Sequence, residues 1–289
     1  MFSQRVCFLN AFSRVLLVSL LLGTFVAQGK VPPKEFLNVP YGDAPGKANL
    51  LDIYLPEGHS PATKMVLYIH GGSWSRGSKE QFPQAFIALL RQNNYAVATM
   101  NYRLVREGTN QFPSQLDDVK KAIAFLSGQA GTYGYSGQEL ALIGASAGAH
   151  LALLYAYGHD PERHVKTVVD LFGPTDLADL LEKKGDGTGN NSTARFLGEF
   201  NPKAKIVRDA SPINHLSKKT AVPTILFHGE SDELVPVEQS KVLYDKLTAL
   251  GVPTQLELYP NERHELSPRS LPDVAMKMIG WLVKMYPPA

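Results

Sequence analysis

Cysteine is almost absent. The 289-residue chain has one, Cys7, inside its first thirty residues. Beyond that segment neither a disulfide nor thiol chemistry is available, and paired C-x-x-C metal or redox sites are excluded. No H-E-x-x-H, G-x-G-x-x-G or Walker A pattern occurs either. The signatures of zinc, dinucleotide and P-loop phosphate binding are therefore missing, and no metal or cofactor is expected. An excess of one charge is lacking too: 29 Lys and Arg stand against 27 Asp and Glu, interspersed, for a net charge of +2. That balance argues against a nucleic-acid or membrane-surface partner. There is no internal repeat and no low-complexity block. The length is ample for a large core without cross-links.

The first thirty residues differ from the rest. Arg5 and Arg14 precede the apolar run Val15–Leu22, and small residues follow at Ala27-Gln28-Gly29. A basic start, a short apolar core and a small-residue exit predict a secretory signal peptide over 1–29, and hence a secreted or periplasmic protein without lasting membrane association. The alternative is an uncleaved anchor, although the run is short of the roughly 20 residues a spanning helix needs.

From residue 30 onward, short apolar runs alternate with helical patterns. Strands are expected at Leu50–Leu55, Met65–His70, Tyr95–Met100, Leu140–Ile143, Val165–Phe172, Pro223–His228 and Gln255–Tyr259. Helices are expected at 79–91, from Pro113 through Leu126, after Ser146, at 237–250 and at 272–285. Alternation of this kind means an α/β chain with a mostly parallel sheet, read as one domain over 30–289. The pattern loosens over about 177–213, where Gly, Asn and Lys cluster. This stretch is expected to be a short cap insertion offering little apolar surface.

One stretch organises the chemistry. Leu140–Ile143 runs into Gly144-Ala145-Ser146-Ala147-Gly148, and a helical pattern follows. G-x-S-x-G between a strand and a helix is a nucleophile elbow, whose glycines permit a sharp, close-packed turn that leaves the serine hydroxyl clear. The N–H of Ala147, at the helix start, can face a developing oxyanion. A serine needs a base beside it and a carboxylate to hold that base in the right tautomer. Asp232 and His264 follow later strands in the order that suits this role. Glu233 is the rival acid, with Glu230 and Asp176 behind it. His150, four residues past Ser146, reads as buried packing, and His70 as a support of its own loop. His228 lies too near Asp232 in sequence to be its first choice as base. Gly71-Gly72-Ser73 follows an earlier strand, so the N–H groups of Gly72 and Ser73 are candidates for an oxyanion hole. Trp74 and Phe172 are candidates for an acyl or aromatic wall, with core packing as the alternative reading of both.

Taken together, His70-Gly71-Gly72-Ser73-Trp74, Asn101-Tyr102-Arg103-Leu104, Pro113 through Asp118, Gly144 to Gly148, Phe172 to Asp176, His228 through Asp232 and His264 resemble the α/β-hydrolase esterases of the H-G-G-x-W type. These include small carboxylesterases, acetyl-xylan and feruloyl esterases, and kynurenine-formamidase-like enzymes. The hormone-sensitive-lipase-like esterases are neighbours, with a glycine where this chain has Ser73. The resemblance covers most of residues 40–286. It implies an α/β-hydrolase fold, a structural role for Asp118, and hydrolysis of small-molecule or carbohydrate-linked short-chain esters, with acetyl and feruloyl esters of carbohydrates as candidates, through an acyl-enzyme on Ser146. A serine peptidase or amidase on the same fold is the alternative reaction. A non-catalytic receptor fits poorly with retention of Ser146, Asp232 and His264.

Overall fold

The computed structural model describes residues 31–183 and 191–289, so the expected signal peptide lies outside the described residues. Eight strands form one sheet: β1 (Lys34–Pro40), β2 (Leu50–Leu55), β3 (Met65–Ile69), β4 (Ala96–Met100), β5 (Leu140–Ala145), β6 (Val165–Leu171), β7 (Thr224–Gly229) and β8 (Thr254–Tyr259). Their spatial order is β1-β2-β4-β3-β5-β6-β7-β8. β1 and β2 join antiparallel, and every pairing from β4 to β8 is parallel.

The apolar runs behave as strands buried on both faces. Neighbouring residues point to opposite sides. Leu67, Leu142, Val168 and Leu226 meet one helical layer, formed by α2 (Ser114–Tyr133), α3 (Ala147–Gly158) and α7 (Glu238–Ala249). Val66, Tyr68, Ile143, Val169 and Ile225 meet the other, formed by α1 (Gln84–Gln92) and α8 (Leu271–Met285). α3 is buried from Ala147 to Tyr157, as befits a helix packed between the sheet and other helices.

Three local results differ from the sequence reading. β1 is an additional strand, mostly exposed and paired only at the sheet's edge. The helix expected over 79–91 is two pieces, a 3-10 turn at Lys79–Gln81 and then α1. Pro83 separates them, because the residue before a proline is pushed out of the helical region and Phe82 is extended (φ −69°, ψ 121°). The third concerns residues 177–213. Here the described part holds α4 (Leu177–Lys183), α5 (Ser192–Leu197), α6 (Lys205–Ala210) and a 3-10 turn at Pro212–His215. Its inner side is more apolar than expected, with Leu177, Leu180, Phe196, Leu197 and Val207 buried in the main core. Short amphipathic helices turn those few side chains inward, so the apolar surface is consumed in packing. No helix among the described residues is long and apolar enough to cross a membrane.

Candidate active site

Ser146 stands between β5, at the centre of the sheet, and α3. Its backbone is at φ 52°, ψ −120°, a region that costs a non-glycine residue on the order of 1–3 kcal/mol and persists only where its surroundings over-determine it. Here the Ser146 N–H donates to the Leu171 carbonyl at 2.8 Å, and its own carbonyl accepts from His150 at 3.0 Å. The flanking glycines are required by contact. A Cβ at Gly144 would sit 2.5 Å from the backbone of Ala149, and one at Gly148 would strike the carbonyl oxygens of Ile69 and His70.

His264 and Asp232 come from two loops laced together at the end of the sheet. The Glu230 N–H donates to the Tyr259 carbonyl at 3.0 Å, and the Ser231 N–H to the Glu262 carbonyl at 2.9 Å. The result is a continuous chain: Ser146 Oγ lies 2.8 Å from His264 Nε2, and His264 Nδ1 lies 2.7 Å from Asp232 Oδ2. Because Nδ1 faces a carboxylate, it carries the proton, which leaves Nε2 free to accept from the serine hydroxyl. Asp232 Oδ1 accepts the N–H groups of Leu234 and Val235 at 2.8 and 2.9 Å. Burial pushes the Asp232 carboxyl up, but hydrogen bonds from His228 and His264 outweigh it and hold the group well below the usual carboxylate range. Glu233, the rival acid, is exposed and pairs with Arg263 at 2.6 Å. Glu230 is exposed as well, while Asp176 turns back to accept the Ala178 N–H at the start of α4.

The Gly72–Trp74 loop arches beside the serine with three consecutive positive φ angles: 109°, 50° and 56°. This turns the Gly72 carbonyl inward, where it accepts from Ser75 and Arg76 at 3.1 and 3.0 Å. The N–H groups of Gly72, Ser73 and Ala147 have no hydrogen-bond acceptor among the described residues. Gly72 and Ser73 line one cavity with Ser146, and Ser73 and Ala147 line a second with it. The first, about 330 Å³, is walled largely by polar side chains, among them Tyr68, Arg76, Gln81 and Glu265, with Phe172 beside them. The second, about 50 Å³, is walled by Trp74, Pro174, Leu180, Thr193 and Val235. A larger cavity of about 510 Å³, bordered by Lys47, Arg103 and Arg106, does not reach Ser146.

Both aromatic candidates have mixed surroundings. Phe172 is half-buried, with its ring edge-on to His264 at 5.0 Å. Trp74 is 3% exposed, stacked on Phe196 at 4.3 Å, and donates its indole N–H to His150 Nδ1 at 3.2 Å, so it is core with one edge on the small cavity. His150 in turn donates from Nε2 to the Ala210 carbonyl at 2.7 Å, and burial depresses its imidazole to about 4. It is a neutral bracket joining the Trp74 loop, α3 and α6. His70 supports its own loop: Nδ1 lies 2.7 Å from the Gly71 carbonyl, and the ring stacks on Tyr102. Asp118, wholly buried, accepts the Arg103 N–H at 2.8 Å and pairs with its guanidinium, which fixes the loop after β4. The residue that sequence reasoning passed over is His228. Its Nε2 lies 3.0 Å from Asp232 Oδ2. The signal was the four-residue spacing, set aside as too close, although a tight turn after the strand folds it back.

A mostly parallel sheet with a serine on the elbow after its central strand, a carboxylate after the next-to-last strand and a histidine after the last is the α/β-hydrolase architecture. The chain belongs to the BD-FAE family, whose model matches residues 51–247. Among proteins similar in sequence is the isoprenylcysteine alpha-carbonyl methylesterase ICME of Arabidopsis thaliana, 28% identical over 246 residues, which are 78% of this chain and 56% of that protein. Esterase LipC of Mycobacterium tuberculosis is 27% identical over 237 residues, 74% of this chain and 55% of its own. This chain thus spans little more than half the length of either relative. Among solved structures, a truncated form of a carbohydrate esterase from gut microbiota aligns with a TM-score of 0.74 at 25% identity, covering 86% of this chain and 96% of that one.

Proposed function

We propose that the protein is a serine carboxylic-ester hydrolase for short-chain acyl esters of polar, carbohydrate-like alcohols. The observation that carries this reading is the Ser146–His264–Asp232 hydrogen-bond chain, set beside three backbone N–H groups that have no acceptor among the described residues. His264 Nε2 takes the Ser146 proton as Oγ attacks the ester carbonyl, and the C–O bond to the alcohol is still intact at this stage. The N–H groups of Gly72, Ser73 and Ala147 hold the resulting oxyanion. The intermediate then collapses, His264 gives its proton to the departing alkoxide, and an acyl-enzyme remains. Water repeats the sequence and releases the acid. Asp232 keeps the imidazole in its Nδ1–H tautomer throughout.

The cavities suggest how the substrate divides. The small one, about 50 Å³, suits an acetyl or slightly longer chain. The larger, polar one suits a hydroxyl-rich alcohol. Ester rather than amide hydrolysis is favoured by the relatives, since the methylesterase, LipC and the carbohydrate esterase are all esterases by name.

The test is kcat/KM over p-nitrophenyl esters from acetate to laurate and over acetylated xylan, for wild type and Ser146→Ala. Acetate should lead the series, and Ser146→Ala should lose about 10⁴-fold or more in rate while folding normally. Retention of a tenth of the activity by the variant, or a preference for ten-carbon chains, would overturn the reading.

A further inference from the structure

We propose that His228 is a positioning residue for the base: as a second imidazole N–H donor on the Asp232 carboxylate, it loosens Asp232's hold on His264 and keeps His264 neutral to lower pH. This rests on the Ser146–His264–Asp232 reading above.

The side chain is fully buried at the end of β7. Its Nε2 faces two acceptors, Asp232 Oδ2 at 3.0 Å and the Val235 carbonyl at 2.9 Å, so Nε2 must carry a proton. Its Nδ1 lies 2.7 Å from the hydroxyl of Ser240 on α7. A neutral imidazole satisfies every group: Nε2–H donates to the carboxylate and carbonyl, and the Ser240 O–H donates to Nδ1. Whatever the state of Nδ1, His228 Nε2 is a fixed N–H donor.

Asp232 consequently accepts four N–H groups: two from the backbone on Oδ1, and one from each imidazole on Oδ2. Each donor stabilises the carboxylate's charge and lowers its basicity. What reaches His264 is a weakened acceptor. That matters because the base must be neutral when it meets the serine proton, and a carboxylate held by fewer donors would favour the imidazolium form of His264 more strongly. The purely structural alternative is that His228 anchors the turn after β7 with no electronic consequence. The two differ in one observable, the acid limb of the pH profile.

Other groups facing these rings are few. Asp170, on β6, faces His228; burial lifts its carboxyl to about 7, against the pull of the Gly173 N–H and His228. Arg76 and Glu265 line the cavity that holds His264, and Phe172 packs against its ring. Arg263, the preceding residue, is paired with Glu233 at the surface.

The experiment is kcat/KM against pH from 5 to 9 on the full chain, with an uncharged acetate ester. In His228→Asn the shorter amide keeps a partner for Ser240 but does not reach Asp232. The acid limb should move to higher pH by roughly half a unit to one unit. His228→Gln, whose amide extends to the position of Nε2, should return the limb at least halfway to wild type. If His228→Asn does not fold, His228→Phe keeps the ring volume, lacks the donor and is read the same way. The Asp170→Asn background, in which no carboxyl titrates beside His228, should preserve the shift. The proposal is overturned if the folded donor-less variant has the wild-type limb, if His228→Gln shifts as far as that variant, or if the shift vanishes with Asp170. Any of these results with Ser146→Ala inactive overturns the role of His228 alone; an active Ser146→Ala overturns the triad reading itself.

Discussion

Asp170 should make the fold lose stability as pH rises. Its carboxyl is wholly buried on β6, with Oδ1 accepting the Gly173 N–H at 2.7 Å and Oδ2 without a hydrogen-bond partner among the described residues. Burial lifts its pKa from 3.8 to about 7. Between those values the folded state keeps a proton that the unfolded chain has released. The group's contribution is therefore complete below about pH 4, shrinks by about 1.4 kcal/mol per pH unit as pH rises, and is flat above about 7. The span of roughly three units amounts to about 4 kcal/mol in all, and the part between pH 5 and 8 to about 3 kcal/mol. Asp170→Asn keeps an oxygen for Gly173 and cannot ionise. Its unpartnered amide N–H groups cost about 1–3 kcal/mol at every pH, so the quantity to read is the pH dependence of the difference between the two proteins. Urea unfolding at pH 5, 6, 7 and 8 should show Asp170→Asn gaining about 3 kcal/mol on wild type across the series. In melting temperature that is about 6–12 °C. Stability curves that stay parallel from pH 5 to 8 would refute the reasoning, since they would mean that Asp170 ionises alike in folded and unfolded chains.

Three further outcomes are expected. Gly148→Ala drives a methyl group into the Ile69 and His70 carbonyls, so it should cost at least about 1–3 kcal/mol in chemical denaturation and most of the proposed esterase activity with it. Leu180→Ala should enlarge the small cavity and raise the butyrate-to-acetate ratio of kcat/KM roughly tenfold; an unchanged ratio would place the acyl chain elsewhere. Export is expected to remove residues 1–29, so intact mass of the protein from its native host should correspond to a chain beginning at Lys30, and a mass that includes Met1 would mean an anchor.

Much of this molecule is legible as text because its sheet is covered on both sides. Leu140–Ile143 and Ile225–Phe227 are apolar at every position, and such runs are conspicuous. β1 is not, since Lys34-Glu35-Phe36 is a mostly exposed edge held by its ladder with β2, by Phe36 against Tyr133 and by Glu35 paired with Arg91, and none of these leaves a continuous apolar run. At the site, strand order brings Ser146, Asp232 and His264 to one end of the sheet, so their spacing in sequence carries the information. The surroundings of Trp74 depend on Phe196 and His150, which approach from α5 and α3, and no local pattern announces that meeting. The contact between His228 and Asp232 was hidden for the opposite reason: it is so local that it looks trivial until the turn's geometry is known.

The strand that delivers His264 is one of the sheet's two edges. Among the described residues β8 has a strand neighbour only on the β7 side, and its residues are half-exposed, whereas β5 beneath Ser146 is almost entirely covered. The proposed nucleophile therefore sits on a well-protected part of the fold and the proposed base beside an edge strand, which opens at lower cost. Peeling β8 and its following loop from β7 would separate His264 from Ser146 while both helical layers over β3, β5 and β6 stayed closed. Under mild denaturant the proposed activity should be lost before the fold melts, with backbone amides of β8 exchanging with solvent while those of β5 remain locked. Catalytic lifetime is then governed by one seam at the margin of the sheet rather than by the strength of the core.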